Sequence, residues 1–395
     1  MKPTGVLAPY RVLDLTDESG FSCGKILADL GADVIKVEPP GGDATRRIDG
    51  LYFTSYNTGK RGITLNLETA RGLDMLQHMA TRADFVIETF PPGTLDHQRM
   101  REQNPRLIIV SITPFGQTGP YRDYKSSDLI IMAMGGLMSL IGEPGKAPLR
   151  VSLPQSPMWA GMYGAAGALV AHYHREATNI GQHVDISMQS SMLWAMAHAP
   201  AFWATNRVCP QRDGSRITGR SMTGARMRAI YECKDGYLNF IIYGGNAGRR
   251  SNQALVQWMA EHGLATERLL NKDWSRFTIQ TSAQEEIDEI EQPAAKLFRL
   301  YRKSEFLDQA FNREIMGYPV MNAHDILSDP HLHDREFWRS LDNLKFPGLF
   351  ARFSDCAPPP MRPAPRVGEH NAEVYRSEFG FGEAELARLR EEKVI

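Results

Sequence analysis

The chain has 395 residues, with 45 Lys and Arg against 46 Asp and Glu for a formal net charge of −1. That balance gives neither a nucleic acid nor an anionic membrane surface a global electrostatic handle. Composition is that of an ordinary globular protein, which excludes disordered and fibrous classes, and the length leaves room for two domains. The four cysteines, Cys23, Cys209, Cys233 and Cys356, are far apart and lack metal-type spacing. They read as reduced cytosolic thiols. The opening segment is too short in apolar length for a secretory signal, and the longest apolar run, around Met158 to Val170, falls short of a membrane span. The expectation is a cytoplasmic protein with no membrane and no nucleic-acid partner.

Arg11 to Thr16 alternates like a strand. Gly20 to Leu30 follows as a helix, with Gly31 as a C′ glycine. Asp33 to Glu38 is a second strand, stopped by Pro39-Pro40-Gly41-Gly42. Leu67 to Arg82 reads as a helix, Asp84 to Thr89 as a third strand and Leu107 to Ile112 as a fourth. The last is nearly all apolar, as expected of a strand covered on both faces. Alternating strands and helices predict an α/β fold with a doubly wound parallel sheet, whose ligands bind beyond the carboxyl ends of the strands. No Gly-x-Gly-x-x-Gly or P-loop is present, so neither a dinucleotide nor a nucleoside-triphosphate site is supported.

After the Gly-rich loop Phe115 to Pro120 and the segment Ser127 to Ile141 comes the helix around which the chain is arranged. Ser156 is its expected N-cap and Pro157 its expected first residue. Met158 to Val170 is apolar on all sides, which predicts a buried helix. From Pro144 through Arg175 there is no Asp or Glu. His183 to Met188 then gives way to a helix through about Ala204.

The character shifts near Thr205, where Arg207, Arg212, Arg216, Arg220, Arg226 and Arg228 lie close together with Asp213 the only acid among them. Residues 205–224 read as a connector. Tyr231 to Ile242 predicts a hairpin turning at Lys234-Asp235-Gly236, and 225–329 a smaller α+β domain. The tail carries a proline-rich stretch, Pro358 to Pro365, and ends in an amphipathic helix, Gly382 to Glu392.

Several segments together resemble the family III CoA-transferases of the CaiB/BaiF type. They are Leu27-Ala-Asp-Leu-Gly-Ala-Asp-Val-Ile-Lys-Val-Glu-Pro39, Gly42-Asp43, Asn57-Thr-Gly-Lys-Arg61, Asn104-Pro-Arg-Leu107, Phe115-Gly-Gln-Thr-Gly-Pro120, Gly181-Gln-His-Val-Asp185 and Gly368-Glu-His370. The resemblance covers nearly the whole chain in order. It implies a large Rossmann-like domain built from 1–204 and 330–395, with the small domain inserted, and an interlocked dimer.

The family's transferase chemistry uses a nucleophilic aspartate that attacks the acyl-CoA thioester and then holds CoA as an enzyme thioester. The matching position here is Pro157, so the resemblance assigns this chain no catalytic nucleophile. The family's racemases place a His before an Asp where this chain has Ser127-Asp128, leaving Asp128 as a candidate catalytic group or as a cap of the following helix. Leu65, Thr89, Phe90 and Lys125 match positions that contact CoA. Three positions that carry basic groups toward the CoA phosphates are here Pro39, Glu68 and His97, and an acid at Glu68 would repel a diphosphate. No permanent cofactor is implied. CoA or acyl-CoA is a substrate, held weakly by this subunit.

Lys125 reads as a phosphate contact or as an ordinary solvated lysine. His172 and His174, two apart on a helix, do not face each other as metal ligands would, and metal binding is not expected there or at His331 and His333. The arginine run suits either a dicarboxylate site or a solvated connector. Cys23 reads as a buried, inert thiol, and Gly244-Gly245-Asn246 as a mobile loop or a plain turn. Three functions follow. The first is the subunit of a heteromeric CoA-transferase that lacks the nucleophile, working beside a homologous subunit that carries it. Its resemblance is to the benzylsuccinate type, in which succinyl-CoA donates to a carboxylic acid. The second is a self-sufficient acyl-CoA isomerase or lyase using Asp128 or a tyrosine. The third is a scaffolding or regulatory subunit.

Overall fold

The structure, a computed structural model, describes residues 4–217, 222–341 and 343–395. Arg220 of the arginine run lies outside the described residues. The chain divides into two compact units, one of residues 1–138, 150–209 and 333–395, the other of 139–149 and 210–332.

The first unit is built on six strands. They are β1 (Arg11–Leu15), β2 (Asp33–Glu38), β3 (Arg61–Thr64), β4 (Phe85–Glu88), β5 (Ile108–Thr113) and β6 (His183–Ser187). All neighbours pair in parallel, in the order β3-β2-β1-β4-β5-β6. This is the doubly wound order expected from the alternating pattern. The connecting helices are α1 (Phe21–Asp29), α2 (Thr45–Ile48), α3 (Gly50–Asn57), α4 (Ala70–Ala80), α5 (His97–Gln103), α6 (Asp128–Met134) and α7 (Ser156–Thr178). Beyond β6 come α8 (Met188–Trp194) and α9 (His198–Asn206), two helices where the sequence suggested one.

One face of the sheet packs Leu13, Ile35, Ile63, Val86 and Ile109 against Met75, Leu76 and Met79 of α4 and against Leu386 and Leu389 of the C-terminal helix Glu383–Glu391. α1 and α7 pack closely together: a Cβ placed on Gly161 would fall 1.8 Å from Ser22 Oγ, and one on Gly164 would fall 2.9 Å from Ile112 Cδ1. The glycines of α7 are therefore the means by which α1 and the sheet reach its backbone.

The segments that carried the family resemblance hold this unit together. Lys60 Nζ meets Asp14 Oδ2 at 2.7 Å and Asn57 Oδ1 at 2.8 Å, with both charged side chains fully buried. Burial alone would raise the Asp14 carboxyl, but Lys60 and Lys36 beside it hold it below its usual range. Arg61 pairs with Asp33 and Glu373, and His370 Nδ1 accepts the Gly62 N–H. The C-terminal return is thus fastened to edge strand β3. Asp185 accepts the Gln117 N–H, which fixes the loop that begins at Phe115, where Gly116 has φ +91°.

The second unit has its own core, in which Trp258, Tyr231, Phe240, Phe298 and Phe306 are buried. Its three-stranded antiparallel sheet contains β9 (Ile230–Cys233) and β10 (Gly236–Phe240), the hairpin expected at Lys234-Asp235-Gly236, preceded by the two-stranded ribbon β7 (Arg216–Ile217) and β8 (Met227–Arg228). The arginines are dispersed. Arg212 donates to the Ser139 and Lys146 carbonyls, Arg216 pairs with Glu291, and Arg228 lies over the Tyr231 ring. Gly244-Gly245-Asn246 opens a helix, Gly245–Glu261.

Candidate functional site

The strand order reverses between β1 and β4, the place where an open parallel sheet leaves a crevice at its carboxyl edge. A cleft of about 910 Å³ lies there. Asp17 and Glu18 follow β1, Thr89 and Phe90 follow β4, and Tyr52 comes from α3. Lys125 and Asp128 come from the loop into α6, and Pro157 from the start of α7. Across the reversal, Thr89 Oγ1 accepts the Asp17 N–H at 2.9 Å.

Of the residues singled out in the sequence, Thr89, Phe90, Lys125, Asp128 and Pro157 therefore meet in one cleft. Leu65 does not: its side chain is buried in the core beneath β3, and its N–H donates to the Glu38 carbonyl. Lys125 is exposed. Pro39 and Glu68 are exposed, and His97 turns inward, its Nε2 lying 3.5 Å from buried Glu88.

α7 begins at Ser156, one residue earlier than expected with Ser156 as the cap, and Gln155 takes the N-cap position without a side-chain bond of its own. Its cap comes instead from Asp128. Asp128 Oδ1 accepts the Gln155 N–H at 2.9 Å, the Ser156 N–H at 2.8 Å and the Ser156 hydroxyl at 2.9 Å. Asp128 is itself the first residue of α6, so its carboxylate caps a helix other than its own. These contacts satisfy orphan N–H groups and place a negative charge at a helix N-terminus. Pro157 is buried, and its carbonyl accepts the Ser22 hydroxyl at 3.1 Å. Ser22 thus secures the same turn from the α1 side.

Among the residues lining the cleft, five are carboxylates (Asp17, Glu18, Asp49, Asp123, Asp128) and two are cations (Arg122, Lys125). Arg122 Nε is itself 3.2 Å from Asp123. A cleft of this balance opposes a polyanion. Tyr52 has its phenol pushed up by burial, then by Tyr56 and by the carboxylates of Glu18, Asp128 and Asp17. It stays a neutral hydrogen-bonding group. Tyr52 lies on α3, a short helix without apolar periodicity whose one sequence signal is Asp49, three residues ahead, which accepts the Tyr52 N–H.

Cys23 is fully buried and its thiol pKa is pushed up, by burial first and by Asp14 second, so it has no thiolate to offer. Half-buried His172 contacts Arg175, whereas exposed His174 contacts Thr178, so the two point to different partners. No group of three or more potential ligands suited to a metal occurs among the described residues. No helix among them is long and apolar enough to cross a membrane.

The sequence matches CoA-transferase family III over residues 7–371. It is 31% identical over 410 residues, 96% of each chain, to the succinyl-CoA:(R)-benzylsuccinate CoA-transferase subunit BbsE of Thauera aromatica. It is 32% identical, over 99% of this chain and 100% of the other, to a formyl-CoA:oxalate CoA-transferase of Streptomyces avermitilis. A solved CaiB/BaiF family protein from Brucella suis superposes with a TM-score of 0.81 at 28% identity, covering 95% of this chain and 100% of that one.

Proposed function

Since the chain belongs to the family III CoA-transferases, whose members move CoA between an acyl-CoA and a carboxylic acid, we propose that it is the subunit without the nucleophile in a heteromeric enzyme of this kind. The donor is an acyl-CoA such as succinyl-CoA and the acceptor a carboxylic acid such as benzylsuccinate. A homologous partner subunit supplies the aspartate. The observation that carries this reading is the N-terminal turn of α7. Pro157 faces the cleft where the family's nucleophile is expected, and the nearby Asp128 is held by three donors. The carboxylate excess of the cleft supports the same division of labour. So does the description of the similar BbsE protein as a subunit.

The reaction proceeds on the partner. Its aspartate carboxylate attacks the thioester carbonyl and expels CoA thiolate, leaving an acyl–aspartyl anhydride. The thiolate attacks the aspartyl carbonyl, releases the donor carboxylate and becomes the enzyme thioester. The acceptor carboxylate then displaces the thiolate, and the thiolate attacks the new anhydride at the acceptor's acyl carbon. This yields the product thioester and regenerates the aspartate. In this chain the α7 turn has no free carboxylate to perform the first step. The three donors gathered on Asp128 Oδ1 favour its capping role over that of a base in a self-sufficient isomerase.

The test is to express the chain with a homologue carrying Asp at the position of Pro157 and add succinyl-CoA. The CoA adduct is then located by peptide mass spectrometry. The adduct is expected on the homologue, with the isolated chain giving no turnover and no tight CoA binding by calorimetry. An adduct on this chain overturns the proposal.

A further inference from the structure

Beneath the β4 side of the cleft, four polar side chains from three strands and one helix meet, two of them buried and the two histidines half-buried. Glu88 ends β4 and Ser111 lies opposite it in the β5 register, both buried. His183 opens β6 and His97 opens α5. Ser111 Oγ and His183 Nε2 are 2.8 Å apart, and the His183 and His97 rings lie with centroids 4.6 Å apart. His97 Nε2 is buried, makes no hydrogen bond, and faces Glu88 Oε1 at 3.5 Å. The other Glu88 oxygen, Oε2, accepts the Phe90 N–H at 2.6 Å. Glu88 therefore divides its two oxygens between the helix behind it and the chain that forms the cleft wall.

We propose that Glu88 is the positioning residue of the cleft wall Thr89–Pro92, fixing its backbone through the Phe90 N–H and backed by His97 on α5. A hydrogen bond to an ionised acceptor is about twice as strong as a neutral one, and burial removes the competing water. The wall matters because Thr89 also receives the Asp17 N–H. A fixed Phe90 thus registers the β4 wall against the β1 wall across the strand reversal. The charged groups facing the cluster are Asp185 on β6 and Arg101 on α5. With Glu88 and His97 they set the field at His183, whose pKa is lowered mainly by burial. The relevance of this wall to substrate rests on the cleft being the acyl-CoA site, but its positioning does not.

The experiment needs no ligand and no partner activity. Hydrogen exchange is followed by mass spectrometry on the full chain and read at the peptide containing Phe90. Glu88→Gln is expected to speed exchange there about tenfold, the loss of a charge-assisted bond. Peptides from β2 and α4 should stay unchanged. Glu88→Asp, which keeps the charge, should restore part of the protection that Glu88→Ala loses. His97→Phe, which keeps the bulk behind the carboxylate, should loosen the wall less than Glu88→Gln; it reads the same clamp if the Glu88 variants fail to fold. Exchange at Phe90 within twofold of wild type in Glu88→Gln overturns the proposal. Loosening spread equally over β2 and α4 does so too, because Glu88 would then be a stability residue only.

Discussion

Asp128 gathers three donors onto one carboxylate oxygen, so removing it strips the cap from a 23-residue helix. Loss of a side-chain cap costs about 1–2 kcal/mol. Asp128→Ala should lower the unfolding free energy by that amount, read as a lower urea midpoint with an unchanged slope, and Asp128→Asn, which keeps one acceptor, should lose less. A variant of full stability that nonetheless abolished transfer in the complex would show Asp128 to be catalytic instead. Lys60 is a sharper case. Its ammonium and the Asp14 carboxylate neutralise each other where neither meets water. Lys60→Met leaves Asp14 opposed by Lys36 alone, at 3.7 Å, and should cost about 3–5 kcal/mol. The pair also sets an acid limit. Asp14 has its pKa lowered in the folded chain. Its contribution is therefore present above the unfolded value of about 3.9 and is lost as pH falls through the lower folded value. Stability measured from pH 6 downward should fall in that window, and the acid-side slope should shrink in Asp14→Asn.

At the scale of elements, the tightest contact is α1 against α7. Gly161→Ala puts a methyl 1.8 Å from Ser22 Oγ and 2.9 Å from the Cys23 backbone nitrogen. Overpacking of this kind costs about 1–3 kcal/mol, against which alanine's better helix propensity returns about 1. The net loss should be partly rescued by Ser22→Ala, and a double-mutant cycle would measure that coupling. The absence of rescue would mean that the backbone of α1, rather than the serine hydroxyl, sets the spacing. The same elements show what the sequence makes legible. Strands β1, β2, β4 and β5 are largely apolar runs between turn signals, and their alternation with helices yields the sheet, whereas β6, His-Val-Asp-Ile-Ser, alternates polar and apolar residues at the sheet edge and no apolar run marks it as a strand. Edge strand β3 is only Arg61-Gly-Ile-Thr, and its charge is satisfied by Glu373 from the far end of the chain, so no local pattern marks it. α3 and α5 are short, and their clearest signals are the single caps Asp49 and Asp96. The cap of α7 comes from Asp128, 28 residues before Ser156, where no spacing rule reaches. The missing carboxylate at Pro157, by contrast, is a property of composition and is visible without any structure.

At the scale of the whole molecule, α7 is not buried on all sides as its apolar run predicts, because only its glycine and alanine face packs on α1 and the sheet; it and the helices after β6 leave apolar surface in the open. Val170 is 70% exposed, Tyr173 80% and Trp194 67%, with Met162 and Trp203 also exposed. Met162, Ala166, Val170, Tyr173 and Ala177 recur at helical spacing, so this is a stripe and not a scatter. Such a stripe on a folded chain marks a surface for another protein. A homologous chain is the occupant that the resemblance implies. If this face carries the dimer that the resemblance implies, Val170→Glu with Tyr173→Glu should lower the sedimenting mass of the chain while far-ultraviolet dichroism stays that of the wild type. Unaltered sedimentation would exclude this face from the assembly. Interlocking makes a further, separable demand. Two chains threaded through one another cannot part without unfolding, whereas two chains that merely adjoin exchange at a rate set by the strength of their contact. Preparations carrying different tags should form no hybrid while both remain folded, and should form it readily after joint unfolding and refolding. Hybrids appearing under native conditions would leave the interface standing but remove the threading.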